Sequence, residues 1–151
     1  MAAQRLTNAM TIEAWVYPHS LNGWNTVMMK QGTSGQFAYS LYANDDLPHP
    51  AVTVQISNVD RSAAGTAALP LQTWSHLTAT YDGTTLRLYR NGVQIGSRAQ
   101  TGSMRVTTGA LRLGGNALWG EYFHGVMDDV RIYNRALTPA EIQTDMNTPV
   151  Q

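Results

Sequence analysis

The segment FHGVMDDVRIYNRALTPAEI, Phe123 to Ile142, reads as a long strand that turns into a short capped helix. Side chains along a strand alternate between faces, which puts Val126, Val130 and Ile132 on one side and Met127, Asp129, Arg131 and Tyr133 on the other. That phase leaves Asp128 on the apolar face. An unpaired carboxylate is prohibitive there, so the reading gives Asp128 an ion, a cationic partner such as Arg131 or Arg135, or several N–H donors. Beyond the turn, Thr138-Pro139-Ala140-Glu141 spells a capping box, with Thr at the N-cap, Pro at the first helical position and Glu three residues after the cap. The helix stops near Asn147-Thr148-Pro149, short enough to close one end of a sandwich.

The chain upstream supplies strands to pair with this one. Residues 10–17 alternate, Ile12, Ala14 and Val16 against Thr11, Glu13, Trp15 and Tyr17, until Pro18 ends the pattern. Glu13, Trp15 and Tyr17 either line a binding face or sit in and around the core. Asp82-Gly83 and Asn91-Gly92 are two hairpin signals within ten residues, which predicts an antiparallel meander. Further strands are expected at 24–30, at 36–42 (where Phe37, Tyr39 and Leu41 share a face), at 51–56, at 74–81, near Val106 and at 110–113, with residues 60–66 as a rim loop. Short strands at this spacing, punctuated by turn residues, predict an all-β fold: an antiparallel two-sheet β-sandwich with one short C-terminal helix.

Composition bounds the function. A chain of 151 residues fits one domain with a full core. Ten basic and ten acidic residues cancel, so no net field recruits nucleic acid or an anionic membrane. There is no cysteine, which removes disulfides and thiolate metal sites. Residues 1–5 lack the apolar core of a signal peptide, and no run reaches the roughly 18 apolar residues of a membrane span.

Three ordered motifs resemble a known family: Met10-Thr11-Ile12-Glu13-Ala14-Trp15-Val16-Tyr17-Pro18, Trp74-Ser75-His76-Leu77 continuing through Tyr81-Asp82-Gly83 to Asn91-Gly92, and the closing Phe123–Ile142 segment. Together they are similar to the bacterial laminin-G-like domains of the concanavalin A-like lectin/glucanase superfamily. The resemblance implies a jelly roll spanning residues 1–151, located outside the cell as a module of a secreted bacterial protein. Family members usually begin with a Phe-Asp-Gly-type strand beside the closing one. Met1 to Asn8 carries no such motif, so the chain is expected to start one strand late, with Gln4 to Thr7 substituting weakly or a sheet edge left unpaired. An open edge invites strand addition from a partner or a second copy, giving a homodimer or a strand-complemented assembly.

Two loops carry chemistry. Asn44-Asp45-Asp46 is either a turn or half of a calcium site, since hard cations take carboxylate and carbonyl oxygens from loops. Pentraxins and laminin G domains are similar in placing acidic calcium ligands after a comparable strand, and Asp128 is a further candidate ligand. In Asn116-Ala117-Leu118-Trp119-Gly120-Glu121-Tyr122, Trp119 and Tyr122 either stack on a sugar ring, with Asn116 and Glu121 hydrogen-bonding its hydroxyls, or plug the sandwich end. His76 reads as a hydrogen-bonded structural residue.

Three functions follow in order. The first is a non-catalytic binding or adhesion module that recognises carbohydrate or an extracellular protein through rim loops, with calcium as a possible cofactor. The second is a structural or assembly domain of a larger surface protein using the open sheet edge. A glycoside hydrolase stands last, because the Glu-x-Asp-x-x-Glu pattern of the superfamily's hydrolases is missing and Glu13, Glu121 and Glu141 lie far apart in sequence. No catalytic residue is assigned.

Overall fold

A computed structural model describes residues 6–151. Among these residues ten strands and one helix follow in chain order: β1 Met10–Ser20, β2 Asn25–Gln31, β3 Phe37–Asn44, β4 Ala51–Ile56, β5 Val59–Ala64, β6 Ser75–Tyr81, β7 Thr85–Arg90, β8 Val93–Ala99, β9 Leu111–Leu113, β10 His124–Tyr133 and α1 Pro139–Met146. They form two five-stranded antiparallel sheets, ordered β10-β1-β6-β7-β8 and β5-β4-β3-β2-β9. The sandwich and jelly-roll fold expected from the sequence is the fold observed. Among the described residues no helix is long and apolar enough to cross a membrane.

The core lies between the sheets and is built by strand alternation. Ile12, Ala14 and Val16 of β1 face inward with Leu77, Ala79 and Tyr81 of β6 and Leu86 and Leu88 of β7. They meet Val27, Met28, Tyr39, Leu41, Val52 and Val54 from the other sheet. Where β5 and β8 approach across the layers, a Cβ on Gly96 would collide with the Ala64 carbonyl, so only glycine fits.

Bulges correct two face assignments. In β10, Glu13 pairs with Arg131 and Trp15 with Asp128, so two residues of β1 span three of β10. The extra residue is accommodated at Asp129, which adopts φ +48°, a conformation Asp tolerates better than most residues. Parity flips there. Met127, Val130 and Ile132 pack on the core, while Asp128 is exposed on the outer face with Val126. Asp128 is therefore no buried anion, and neither Arg131 nor Arg135 serves it. In β3, Met29 pairs with Ser40 and Gln31 with Phe37, again two residues against three. Tyr39 and Leu41 stay in the core, whereas Phe37 turns outward beside Met29 and Tyr42.

Other expectations also shift. Residues 59–64 form an edge strand with Ala63 in the core, in place of a rim loop. Near Val106 there is only a bridge between Ile56 and Met104. β10 lies at the edge of its sheet among the described residues. The expected substitution by Gln4 to Thr7 falls, for Gln4 and Arg5, outside the described residues. Leu6 is buried and the Thr7 carbonyl accepts from Met104 N at 2.8 Å, so this segment follows residues 103–104 and not β10.

The helix does not close a sandwich end. Its capping box forms as read from the sequence, but Ile142 packs with Tyr89, Tyr133 and Leu137 on the outer face of the first sheet. The helix covers a polar layer there. Glu13 is fully buried, its Oε1 3.6 Å from Arg131 Nη1 and its Oε2 3.5 Å from Thr78 Oγ1. Thr78 Oγ1 lies 3.2 Å from His76 Nδ1, and the His76 ring meets the Trp15 ring at 5.1 Å in an edge arrangement. Tyr133 donates to Asp145 at 2.6 Å. Burial first, then the neighbouring Asp145 carboxylate, pushes Glu13 up to about 8, against the pull of Arg131. Burial, aided by Arg131, lowers His76 to about 4.

These two groups pull stability in opposite directions. Folded Glu13 keeps its proton above the ordinary 4.5, so its contribution falls as pH rises from there towards about 8. His76 resists protonation, so its contribution grows as pH rises from about 4 to 6.5. Between pH 6.5 and 8 the Glu13 slope acts alone. Wild-type melting temperature minus that of Glu13→Gln, measured by calorimetry, should therefore decline across that window; a difference that stays flat would show that Glu13 is ionised in the fold.

Candidate functional site

The outer face of the second sheet carries an aromatic cavity of about 190 Å³, lined by Trp24, Phe37, Tyr42, Thr53, Asp60, Ser62, Trp119 and Glu121. Its floor follows from the β3 bulge, which turns Phe37 out of the core beside Tyr42. Its walls are two indoles from separate loops. Trp24, 37% exposed, meets Tyr42 edge-on at 4.9 Å, and Trp119, 49% exposed, meets Phe37 edge-on at 6.0 Å. Aromatic rings prefer this edge-to-face contact, so each floor ring orients one wall.

Buried amides anchor both loops. Asn44 Nδ2 donates to the Gly23 carbonyl at 2.8 Å, fixing the residue before Trp24. Asn116 Oδ1 accepts from Trp119 N at 2.9 Å, while its Nδ2 donates to Thr26 Oγ1 at 2.9 Å and to Glu121 Oε2 at 2.8 Å. Gly23 and Gly120 take positive φ beside the two tryptophans, which supplies the tight turns. On the sheet, Gln55 links Phe37 N to Asp60: its Oε1 accepts at 3.1 Å and its Nε2 donates at 2.9 Å. The Thr53 and Ser62 hydroxyls lie 2.8 Å apart. Burial, then the charges of Glu121 and Asp60, raises the Tyr42 phenol well above its ordinary value.

This is an aromatic slot with hydroxyl and carboxylate groups around it, on one face of a jelly roll. A laminin G-type family model, described as the concanavalin A-like lectin/glucanases superfamily, matches residues 2–143. The chain belongs to that superfamily. Among solved structures of similar shape is domain 4 of AbnA, a GH43 extracellular arabinanase from Geobacillus stearothermophilus, in complex with arabinotriose. It aligns at TM-score 0.77 and 26% identity over 93% of this chain and 68% of that one. The CBM40 of the Ruminococcus gnavus IT-sialidase, bound to α2,3-sialyllactose, shares the fold at TM-score 0.77 and 18% identity, covering 95% of this chain and 85% of that one. Mouse pappalysin-1 is 39% identical over 80 residues, which cover 50% of this chain and 5% of pappalysin-1.

The four residues expected to bind ligand divide. Trp119 and Glu121 line the cavity. Asn116 is buried and positions the other two. Tyr122, 56% exposed, lines a separate hollow of about 250 Å³ with Arg112, Leu113, Gly114 and Gly115. Sequence reasoning missed Trp24, Phe37, Tyr42, Thr53, Asp60 and Ser62 as cavity residues. Only Trp24 had a readable signal, a tryptophan beside a loop glycine, which is the same pattern that singled out Trp119–Gly120.

The four expected metal ligands are not brought together. Asp45 Oδ1 lies 3.0 Å from His49 Nδ1 and accepts from Leu47 N at 3.0 Å. Burial raises its pKa, with His49 and the Leu47 N–H opposing. Asp46 is exposed. Asn44 Oδ1 is buried without a partner, so it and Asp45 offer calcium two oxygens of the six to eight it takes. Asp128 lies on the other sheet, in a cavity of about 330 Å³ with Trp15, Trp74 and Asp129. Among the described residues no three His, Cys, Asp or Glu side chains converge on one point.

Asn116 carries more structure than its neighbours in the loop. Asn116→Ala would remove the partner of Thr26, Trp119 N and Glu121 at once; of these Thr26 is buried, and a buried group left without a partner costs about 1–3 kcal/mol. The expected result is a melting temperature lower by several degrees, with each kcal/mol worth about 2–4 °C for a domain this size. An unchanged melting temperature would show that water replaces the amide.

Proposed function

We propose that the domain is a non-catalytic glycan-binding module that takes a sugar ring between Trp24 and Trp119. The observation that carries this reading is the pair of indoles held edge-on by Tyr42 and Phe37 over a polar strip of Thr53, Ser62, Asp60 and Glu121. Stacked aromatics bind the apolar face of a pyranose or furanose, and the flanking oxygens take its hydroxyls. A cavity of about 190 Å³ is smaller than the roughly 300–1,000 Å³ that buries a drug-sized ligand, which suits one ring of a longer glycan. The arabinotriose-bound arabinanase domain and the sialyllactose-bound CBM40 support carbohydrate as the partner class. The first of these belongs to an extracellular enzyme, which supports a secreted, modular setting for this chain.

Binding on a glycan array, followed by calorimetry on the hits, tests the reading. Trp24→Ala and Trp119→Ala should each weaken binding at least about tenfold, or about 1.4 kcal/mol, and Tyr122→Ala should leave it within about twofold. Equal loss in all three would place the ligand elsewhere.

Calcium is a separate proposal within this reading: Asn44 Oδ1 and Asp45, beside the Gly23–Trp24 turn, would supply two of its oxygens, with water or the glycan supplying the rest. Calcium at about 100-fold over its dissociation constant should add about 2.7 kcal/mol relative to EDTA, and Asp45→Asn should abolish the gain. No gain in the wild type would leave residues 44–46 as a turn.

A second reading rests on β10, a ten-residue strand at its sheet's edge among the described residues, with Val126 47% exposed on it. Such an edge accepts an added strand from a partner or a second copy. Light scattering across a concentration series should then reveal a dimer that Val126→Lys disrupts; a monomer at all concentrations removes self-pairing.

A further inference from the structure

The slot contains two carboxylates and no cation. Of its eight lining residues, Asp60 and Glu121 are acidic and none is Lys, Arg or His. Among the described residues the ion pairs join His49 to Asp45, Arg87 to Asp82, Arg131 to Glu13 and Arg135 to Glu141, so neither slot carboxylate is neutralised. Both line the same cavity of about 190 Å³ as Tyr42, which places them around one small volume. At physiological salt the screening length is about 8 Å, so a charge entering that volume meets both acids largely unscreened.

Each carboxylate is also oriented. Gln55 Nε2 holds Asp60 Oδ1 at 2.9 Å, and Asn116 Nδ2 holds Glu121 Oε2 at 2.8 Å. Gln55 is itself fixed by Phe37 N and Asn116 by Trp119 N, so neither amide is free to swing away. Asp60 Oδ2 and Glu121 Oε1 have no donor among the described residues. Two aimed carboxylate acceptors beside a pair of indoles are complementary to hydroxyl hydrogens. They are repulsive to any anionic substituent. The sialyllactose-bound CBM40 has the same fold, so the fold does not decide which charge class a member takes; the residues lining the slot do.

Resting on the glycan-binding reading, we infer that the slot selects neutral sugars whose hydroxyls donate to Asp60 and Glu121, and rejects sugars bearing carboxylate, sulfate or phosphate. The two acids are thus specificity-determining residues, acting by attraction of donors and by exclusion of anions. Specificity is a difference of affinities, and an uncompensated like charge is an effective way to create one.

The test is calorimetric titration of neutral arabino-, xylo-, gluco- and galacto-oligosaccharides beside their uronic-acid or sialylated counterparts, in EDTA and again with calcium. Neutral glycans should bind with affinity nearly independent of salt. Their acidic counterparts should bind at least about tenfold more weakly, and the gap should narrow as salt is raised. The double variant Asp60→Asn, Glu121→Gln keeps the shape of both side chains, and its melting temperature reports on folding. It should lower neutral-glycan affinity and shrink the neutral-to-acidic ratio at least about threefold. An acidic glycan bound as tightly as its neutral counterpart, with or without calcium, overturns the charge inference while leaving the glycan reading intact. A ratio unchanged in the folded double variant also overturns it. Absence of binding to every glycan overturns the glycan reading itself, and the inference with it.

Discussion

One strand, β1, hydrogen-bonds to β6 on one side and to β10 on the other, tying residues 10–20 to residues 75–81 and 124–133. Both pairings are long-range, so the first sheet is completed beyond its local β6-β7-β8 meander only once these distant segments have met. The faces of β1 then decide what lies on each side of that sheet. Ile12, Ala14 and Val16 build the core with the second sheet. Glu13, Trp15 and Tyr17 face outward, where α1 returns to bury Glu13. The second sheet is consequently left with its outer face open, and the aromatic slot forms there.

Strands and turns were legible because each has a local cause. Period-two alternation marked β1, the Asp-Gly and Asn-Gly pairs marked the β6-β7-β8 meander, and Thr138 with Glu141 marked the helix start. Bulges were not legible. Strict alternation from Phe123 to Tyr133 put Val126 inward and Asp128 on the apolar face, but one extra residue at Asp129 reverses the phase for half the strand. The same device in β3 separates Phe37 from Tyr39 and Leu41. A bulge is written by the register of the partner strand, and a single chain read in isolation does not show its partner's register.

The site was half legible for a related reason. Trp119 and Glu121 stand in one loop whose glycines and aromatics are adjacent in sequence. The slot also needs Trp24, Phe37, Tyr42 and Asp60, which come from three other places and meet only because β2, β3, β4 and β5 lie side by side. Residue type alone did not separate braces from lining residues. Asn116 was read as a ligand contact and is a buried brace, whereas Asp60 was read as rim and lines the slot. Asn44, read as a turn or calcium residue, braces a loop through its Nδ2, which donates to the Gly23 carbonyl, while its Oδ1 has no partner among the described residues.

The two asparagine braces separate what holds the loops from what the loops display. Asn44 grips a carbonyl and Asn116 an N–H, so both hold main chain and neither depends on the side chain displayed at positions 24 and 119. The platform is therefore decoupled from what it presents. Substitution at the two tips alters the displayed surface without removing the amides that hold the loop main chain. The surface shown at positions 24 and 119 is thus set by side chains that the loop anchors do not use.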